Sequence, residues 1–186
     1  MKFQKAQYTD IEDIMQIIKD GQIAISKLNI AQWQNGYPSK EIIENDIKQN
    51  FGYVLLKNDE IVGYTAVVFN NETTYNKIEG GKWLSNEEFV VAHRLAIKEI
   101  YKKQGIATIL LHEIANLALT QNIQSFKIDT HEGNILMLKL LKKCGFQYCG
   151  IIYLENGDKR LAFERLLART GQSENPVSVI IRNNNL

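Results

Sequence analysis

The chain has 186 residues, 45% of them hydrophobic and 23% charged, enough apolar material for one packed domain of ordinary size. Lysine and arginine number 22 against 21 aspartates and glutamates, a formal net charge of +1, which gives no electrostatic case for nucleic acid or a membrane as partner. Cys144 and Cys149 are too few for a disulfide framework, His93, His112 and His131 are too dispersed for a structural metal site, and no signal-type or span-length apolar run occurs, so the expectation is a metal-free cytoplasmic protein.

Phe3 to Gln7 alternates weakly and predicts a first strand. Thr9-Asp10-Ile11-Glu12 reads as a capping box. Ile11, Ile14, Ile17, Ile18, Ile25 and Leu28 then follow at helical spacing. Gly21 is expected to kink or split that helix. A polar stretch carries Trp33, Gly36, Tyr37 and Pro38, and Ser39 caps a second helix, Lys40 to Gln49. The period then changes. Tyr53 to Lys57 and Ile61 to Phe69 read as strands joined by a tight turn at Asn58-Asp59. A polar loop leads to a fourth strand, Phe89 to Ile97, and then to a basic, glycine-bearing turn, Tyr101 to Gly105. Ile106, Ile109, Leu110, Ile114, Leu117 and Ala118 mark one face of a helix. Ser125 to Thr130 is a fifth strand. Asn134 to Lys143 is apolar almost all round, which predicts a well-buried helix. Phe146 to Leu154 and Lys159 to Leu167 form a final hairpin around Asn156-Gly157.

The order β-α-α-β-β-β-α-β-α-β-β implies an α/β (α+β) domain with a mixed sheet and helices on its faces. Residues 1–168 are assigned to it. Residues 169–186 read as a tail, within which 177–181 is short and β-prone. No internal repeat is found.

The segment Arg94 to Thr108 has the makings of an anion site. A helix begins with unpaired N–H groups and a dipole that favours negative charge. Gly105 has no side chain to block a phosphate, Ala107 is small, and Lys102 and Lys103 add positive charge. The backbone from Lys103 to Thr108 can wrap a pyrophosphate. Taken alone, the stretch is also compatible with a plain strand-to-helix turn carrying solvated lysines. It is neither a P-loop nor a dinucleotide fingerprint, because it lacks Gly-Lys-Ser/Thr and the three-glycine pattern.

Leu95-Ala96-Ile97 followed by Lys102-Lys103-Gln104-Gly105-Ile106-Ala107 resembles motif A of the GNAT superfamily of N-acetyltransferases. Lys102 stands where Arg or Gln is usual. Asn134, Leu140, Leu141 and Gly145-Phe146 resemble that family's second motif, and the resemblance runs from Phe3 to about Leu167. It implies a mostly antiparallel central sheet whose fourth and fifth strands splay apart. It also implies acetyl-CoA as cosubstrate, with its pantetheine arm along Leu95, Ala96 and Ile97. The pyrophosphate would lie on the N–H groups of Lys103, Gln104, Gly105, Ile106, Ala107 and Thr108, beside Lys102, with Asn134 touching the cofactor. Asn134 also reads as a helix N-cap. Homodimers are common in such families. Leu141 departs from the pattern: it occupies a position where a general-acid Tyr is frequent.

The implied reaction is direct transfer of an acetyl group to a primary amine of a small molecule or peptide, with a side chain or water chain taking the amine's proton. His93, Asp129 and His131 are the candidates for that base. Both histidines are expected near the cofactor entry, and imidazoles are suited to proton transfer near neutral pH. Trp33 and Tyr37 read equally as an acceptor wall or as loop anchors. Glu88 is a weaker acceptor-side candidate, and Arg160 reads as a surface arginine or a carboxylate clamp. A non-catalytic acyl-CoA-binding module, motivated by Leu141, is the competing reading. A third is an α/β domain that holds another phosphate ligand at Gly105.

Overall fold

A computed structural model describes residues 1–70 and 72–168. The tail 169–186, with its run 177–181, lies outside the described residues. The elements are β1 (Lys2–Lys5), α1 (Ile11–Ser26), α2 (Lys40–Lys48), β2 (Gly52–Lys57), β3 (Glu60–Phe69), β4 (Phe89–Ile97), α3 (Ile106–Thr120), β5 (Ser125–Thr130), α4 (Ile135–Lys143), β6 (Gln147–Tyr153) and β7 (Lys159–Leu166). Their order is the one expected from the sequence.

The seven strands form one sheet in the order β1-β2-β3-β4-β5-β7-β6. Each neighbouring pair is antiparallel except β4 with β5, which is parallel. Alternation along the strands supplies two large cores, beside a smaller cluster of Tyr75, Val91, Ile152 and Ala162. Ile14, Ile17 and Ile18 of α1 pack with Ile43 and Ile47 of α2 and with Val54 and Tyr64 of the sheet. On the other side Leu110, Leu111 and Ile114 of α3 pack with Leu55, Val62, Phe126 and Ile128. Residues 54 and 55 thus serve opposite faces, as a pleated strand requires. Each fully buried Leu or Ile contributes about 1.5–3 kcal/mol relative to exposure.

Local chemistry explains the turns. Asn58 and Asp59 both have positive φ, 51° and 62°, the conformation of a two-residue hairpin turn that matches strand twist. Gly157, with φ 85°, serves the last hairpin.

Three expectations need correction. The entry to α1 does not use Thr9 and Glu12. The Asp10 carboxylate accepts from the Gln7 N–H at 2.8 Å, a 3-10 turn covers Tyr8–Asp10, and α1 starts at Ile11. Gly21 neither kinks nor splits α1, which continues to Ser26. A Cβ there would stand 2.7 Å from the Trp33 ring, so the glycine lets that aromatic approach the helix. Finally, α4 is not buried all round. Leu141 is its buried residue, while Ile135 and Leu136 are exposed. The helix lies on an outer layer and only one of its faces meets the core.

Candidate active site

The sheet opens at the junction of β4 and β5. Their register covers Phe89 with Ser125, Val90 with Phe126 and Val91 with Lys127, and then stops. Beyond it β4 runs on to Ile97 and β5 to Thr130. A bulge in β4 helps to turn the strand away. Tyr64 faces Ala96 and Ala66 faces His93, so β4 carries one residue more than β3 between these pairs. Arg94, in that bulge, has φ 54°. The Thr65 hydroxyl donates to the His93 carbonyl at 3.0 Å, which secures the turned backbone.

The side chain at the bulge is anchored as firmly. The Arg94 guanidinium donates through Nε and Nη2 to the two oxygens of Asp46, at 2.8 and 2.6 Å, and through Nη1 to the Tyr37 hydroxyl at 3.2 Å. The Tyr64 hydroxyl donates to the same Asp46 carboxylate at 2.7 Å. Burial works against the charge on Arg94, but Asp46 and Tyr37 more than offset it and the group stays protonated. Burial and the Asp46 charge push the Tyr64 phenol far above its ordinary range, so it remains a donor. The network ties the α1–α2 connection and α2 to the bulge.

Below the splay lies the turn into α3. Lys103 and Gly105 adopt positive φ, 63° and 81°, and Gly105 immediately precedes the helix. A Cβ at Gly105 would meet no atom within 4 Å, so the approach to the helix N-terminus is open. Ile109 makes the first bond back along the helix, to the Gly105 carbonyl at 3.1 Å. The amides of Ile106, Ala107 and Thr108 are therefore the free first-turn donors that suit an anion. Lys103 and Gln104 are exposed. Lys102 bonds to Glu99 and, at 3.3 Å, to the Asp20 carbonyl. Open glycine, turned backbone and unpaired amides fit a diphosphate. Leu95 lines the cavity above the turn, while Ala96 and Ile97 are buried against β3.

A cavity of about 900 Å³ fills the space between the parted strands and the α1–α2 connection, a size suited to a small-molecule site. Trp33, Tyr37, His93, Asp129 and Asn134 are among its walls. His93 Nε2 lies 2.8 Å from Glu72 Oε2. Burial raises the Glu72 pKa, but His93 and the Thr74 hydroxyl (2.6 Å) outweigh it, and the carboxyl sits below its usual range. The Tyr75 hydroxyl donates to Asp129 at 2.7 Å, and the Arg160 guanidinium stands 4.0 Å from the same carboxylate. Burial nevertheless pushes the Asp129 carboxyl up. Asn134 caps α4 by accepting from the Met137 N–H at 3.2 Å, and its Nδ2 donates to Gln32 at 3.0 Å.

Of the expected base candidates, His93 and Asp129 share this wall. His131 is not among the lining residues; its Nδ1 accepts from the Gly133 N–H at 2.9 Å. Glu88 is exposed at the start of β4 and does not line the cavity. Leu141 is fully buried in the α3 core and offers no proton donor. Glu72, Thr74 and Tyr75 escaped the sequence reading. They belong to a polar loop with no periodicity, and only the fold brings Glu72 and Thr74 to the wall and the Tyr75 hydroxyl to Asp129. Among the described residues no helix is long and apolar enough to cross a membrane, and no group of three or more His, Cys, Asp or Glu side chains is placed to hold a metal.

Residues 23–146 match the model of the Acetyltransferase (GNAT) family. A GNAT-family acetyltransferase structure from Streptococcus agalactiae is 32% identical, covers 90% of this chain and 96% of its own, and superposes with a TM-score of 0.82. A GNAT-family acetyltransferase from Listeria monocytogenes is 15% identical over 89% of this chain and 94% of its own, TM-score 0.69. The NatB acetyltransferase complex bound to CoA and MES is similar over 90% of this chain and 100% of that one, at 13% identity and TM-score 0.64. At these two identities the likeness is one of fold. No curated protein matches the sequence.

Proposed function

Because the chain belongs to the GNAT family of acetyltransferases, we propose that it moves an acetyl group from acetyl-CoA to a primary amine held in the cavity beside His93. The observation that carries this reading is the parting of β4 from β5 next to the open, amide-lined start of α3, with His93 on the wall at the parting. Acetyl-CoA supplies an acyl group already activated as a thioester.

The residues of this chain divide the work. The amides from Lys103 to Thr108 hold the diphosphate, with Lys102 and Lys103 adding charge. The β4 segment Leu95–Ile97, past the end of the β5 register, holds the extended arm. Asn134 adds a polar contact at the start of α4. Trp33 and Tyr37 wall the acceptor side, and Arg94 holds Tyr37 there.

Proton transfer falls to His93. Its Nε2 is turned to Glu72, so Nδ1 is the nitrogen left to take a proton from the acceptor amine. Glu72, 2.8 Å from Nε2, orients the ring. Asp129 is the second candidate, and its raised carboxyl suits a proton carrier in the same wall. His131 ranks behind both. With Leu141 buried, the departing thiolate relies on its own acidity, since thiols titrate near 8.5.

The test is acetyl-CoA-dependent thiol release over an amine panel, with wild type and His93→Gln. Turnover that falls about 100-fold or more in the variant supports the assignment. Equal kcat/KM across the pH range in both removes His93 from the role. Tight acetyl-CoA binding with no turnover on any amine favours the non-catalytic module instead, the reading that Leu141 motivates.

A further inference from the structure

We infer that the acceptor carries a second positive charge besides the amine that is acetylated, and no carboxylate. The inference rests on the acetyltransferase reading of the cavity and names the chemistry of its second ligand. Among the described residues two guanidiniums, Arg94 and Arg160, line the cavity and no lysine does. Both guanidiniums are already paired with carboxylates. Arg94 donates to both oxygens of Asp46 and to the Tyr37 hydroxyl. Arg160 is 7% exposed. It donates to Asp158 at 3.1 Å and to the Lys159 carbonyl at 2.9 Å, and its Nε stands 4.0 Å from Asp129.

Once these pairs are formed, acidic groups remain in excess. Arg160 is paired with Asp158 and stands 4.0 Å from Asp129, whose carboxyl burial pushes up. Glu72 accepts from the Thr74 hydroxyl and faces His93 rather than a lysine or arginine, and its carboxyl lies below the ordinary range, so it is ionised at neutral pH. Glu155 adds an exposed carboxylate to the lining. A low-dielectric cleft lined mostly by one sign of charge focuses its field on ligands of the other sign. An independent observation points to a polar ligand at this wall. Thr130, a lining residue 1% exposed, has a hydroxyl with no partner among the described residues. Such a hydroxyl is costly to leave unsatisfied, and among its possible partners is an ammonium. An acceptor carboxylate would instead meet Glu72, Glu155 and Asp158, and the lysines and arginines among the described lining residues are Arg94 and Arg160, both already paired.

Three acceptors of matched length test the inference: 1,4-diaminobutane, n-butylamine and 4-aminobutanoate. Thiol release should give kcat/KM in that order, with the diamine at least ~10-fold above the amino acid, and the gap should narrow when salt is raised. Asp158→Asn frees one side of Arg160 and should shift the ratio toward 4-aminobutanoate, a change that a purely structural defect would not produce. Equal rates for the three, or 4-aminobutanoate as the best acceptor, would overturn the inference while leaving the acetyltransferase reading intact. If none of the amines is acetylated, the acetyltransferase reading is what fails. Calorimetric binding of the same three compounds to the folded protein then decides the charge preference by the same order.

Discussion

Glu72 Oε2 stands 2.8 Å from His93 Nε2, with both side chains about four-fifths buried, at 19% and 21% exposure. The pair joins Glu72, at the entry to the 3-10 turn Thr73–Asn76, to the strand that parts from its neighbour, and its charge balance can be measured. The folded-state pKa of Glu72 lies below the unfolded value, because His93 and Thr74 outweigh the effect of burial. Its contribution to stability is therefore present above the ordinary glutamate range and is lost as pH falls through the depressed value. Glu72→Gln should be less stable than wild type by about 1 kcal/mol at pH 7, and the difference should close in acid. A difference that is constant across thermal melts at both pH values would contradict the pairing.

Asp129 carries the opposite sign. Burial raises its folded-state pKa, so the ionised form costs stability as pH rises through that value. Asparagine keeps an oxygen for the Tyr75 hydroxyl, 2.7 Å away in the wild type. Asp129→Asn should match wild type in acid and equal or exceed its melting temperature at pH 7. A variant that is less stable at pH 7 than in acid, relative to wild type, would show that Arg160 outweighs burial.

Arg94 and Asp46 are paired with only 13% and 3% of their side chains exposed. Removing one partner leaves a buried charge alone, at a cost of about 3–5 kcal/mol. Arg94→Met should show this loss in denaturant unfolding. The double variant Arg94→Met/Asp46→Leu should be less destabilised than the sum of the single changes, because no unpaired charge remains. Strict additivity would contradict the coupling.

Leu141 fixes the limit of a tempting repair. Tyrosine at this position would enlarge a fully buried core side chain. Leu141→Tyr should therefore lower stability by about 1–3 kcal/mol and leave kcat no higher than wild type. A stable variant with raised kcat would mean that the side chain can reach the reacting thiol.

Much of this was readable in the sequence, because much of it is periodic or punctuated. Helical spacing in α1 and α3, alternation in β2 and β3 and the Asn58-Asp59 turn gave the element order. Gly105, between basic residues and an apolar helix, gave the anion turn. The splay of β4 from β5 came through resemblance, since nothing in Phe89 to Ile97 alone shows where pairing stops. The Arg94–Asp46–Tyr37 network and the Glu72–His93 contact were not readable, because they join residues far apart in sequence through side chains that obey no spacing rule. The burial of α4 was overestimated for a related reason. Apolar composition says what a helix could bury, whereas its neighbours decide what it does bury. Gly21 was misread because its partner, the Trp33 ring, lies beyond the end of α1.

The most direct measurement is calorimetric titration of acetyl-CoA into wild type, Gly105→Asn and Gly105→Asp. Gly105 sits at φ 81° with open space where a Cβ would project. Both replacements favour that backbone region among non-glycine residues, so both should fold. They differ only in the charge beside the α3 amides. Wild type should bind, the asparagine variant should bind within a few-fold of it, and the aspartate variant should be weaker by at least ~10-fold, about 1.4 kcal/mol. No binding by folded wild type, or equal affinity for the asparagine and aspartate variants, would contradict an acetyl-CoA site at this turn.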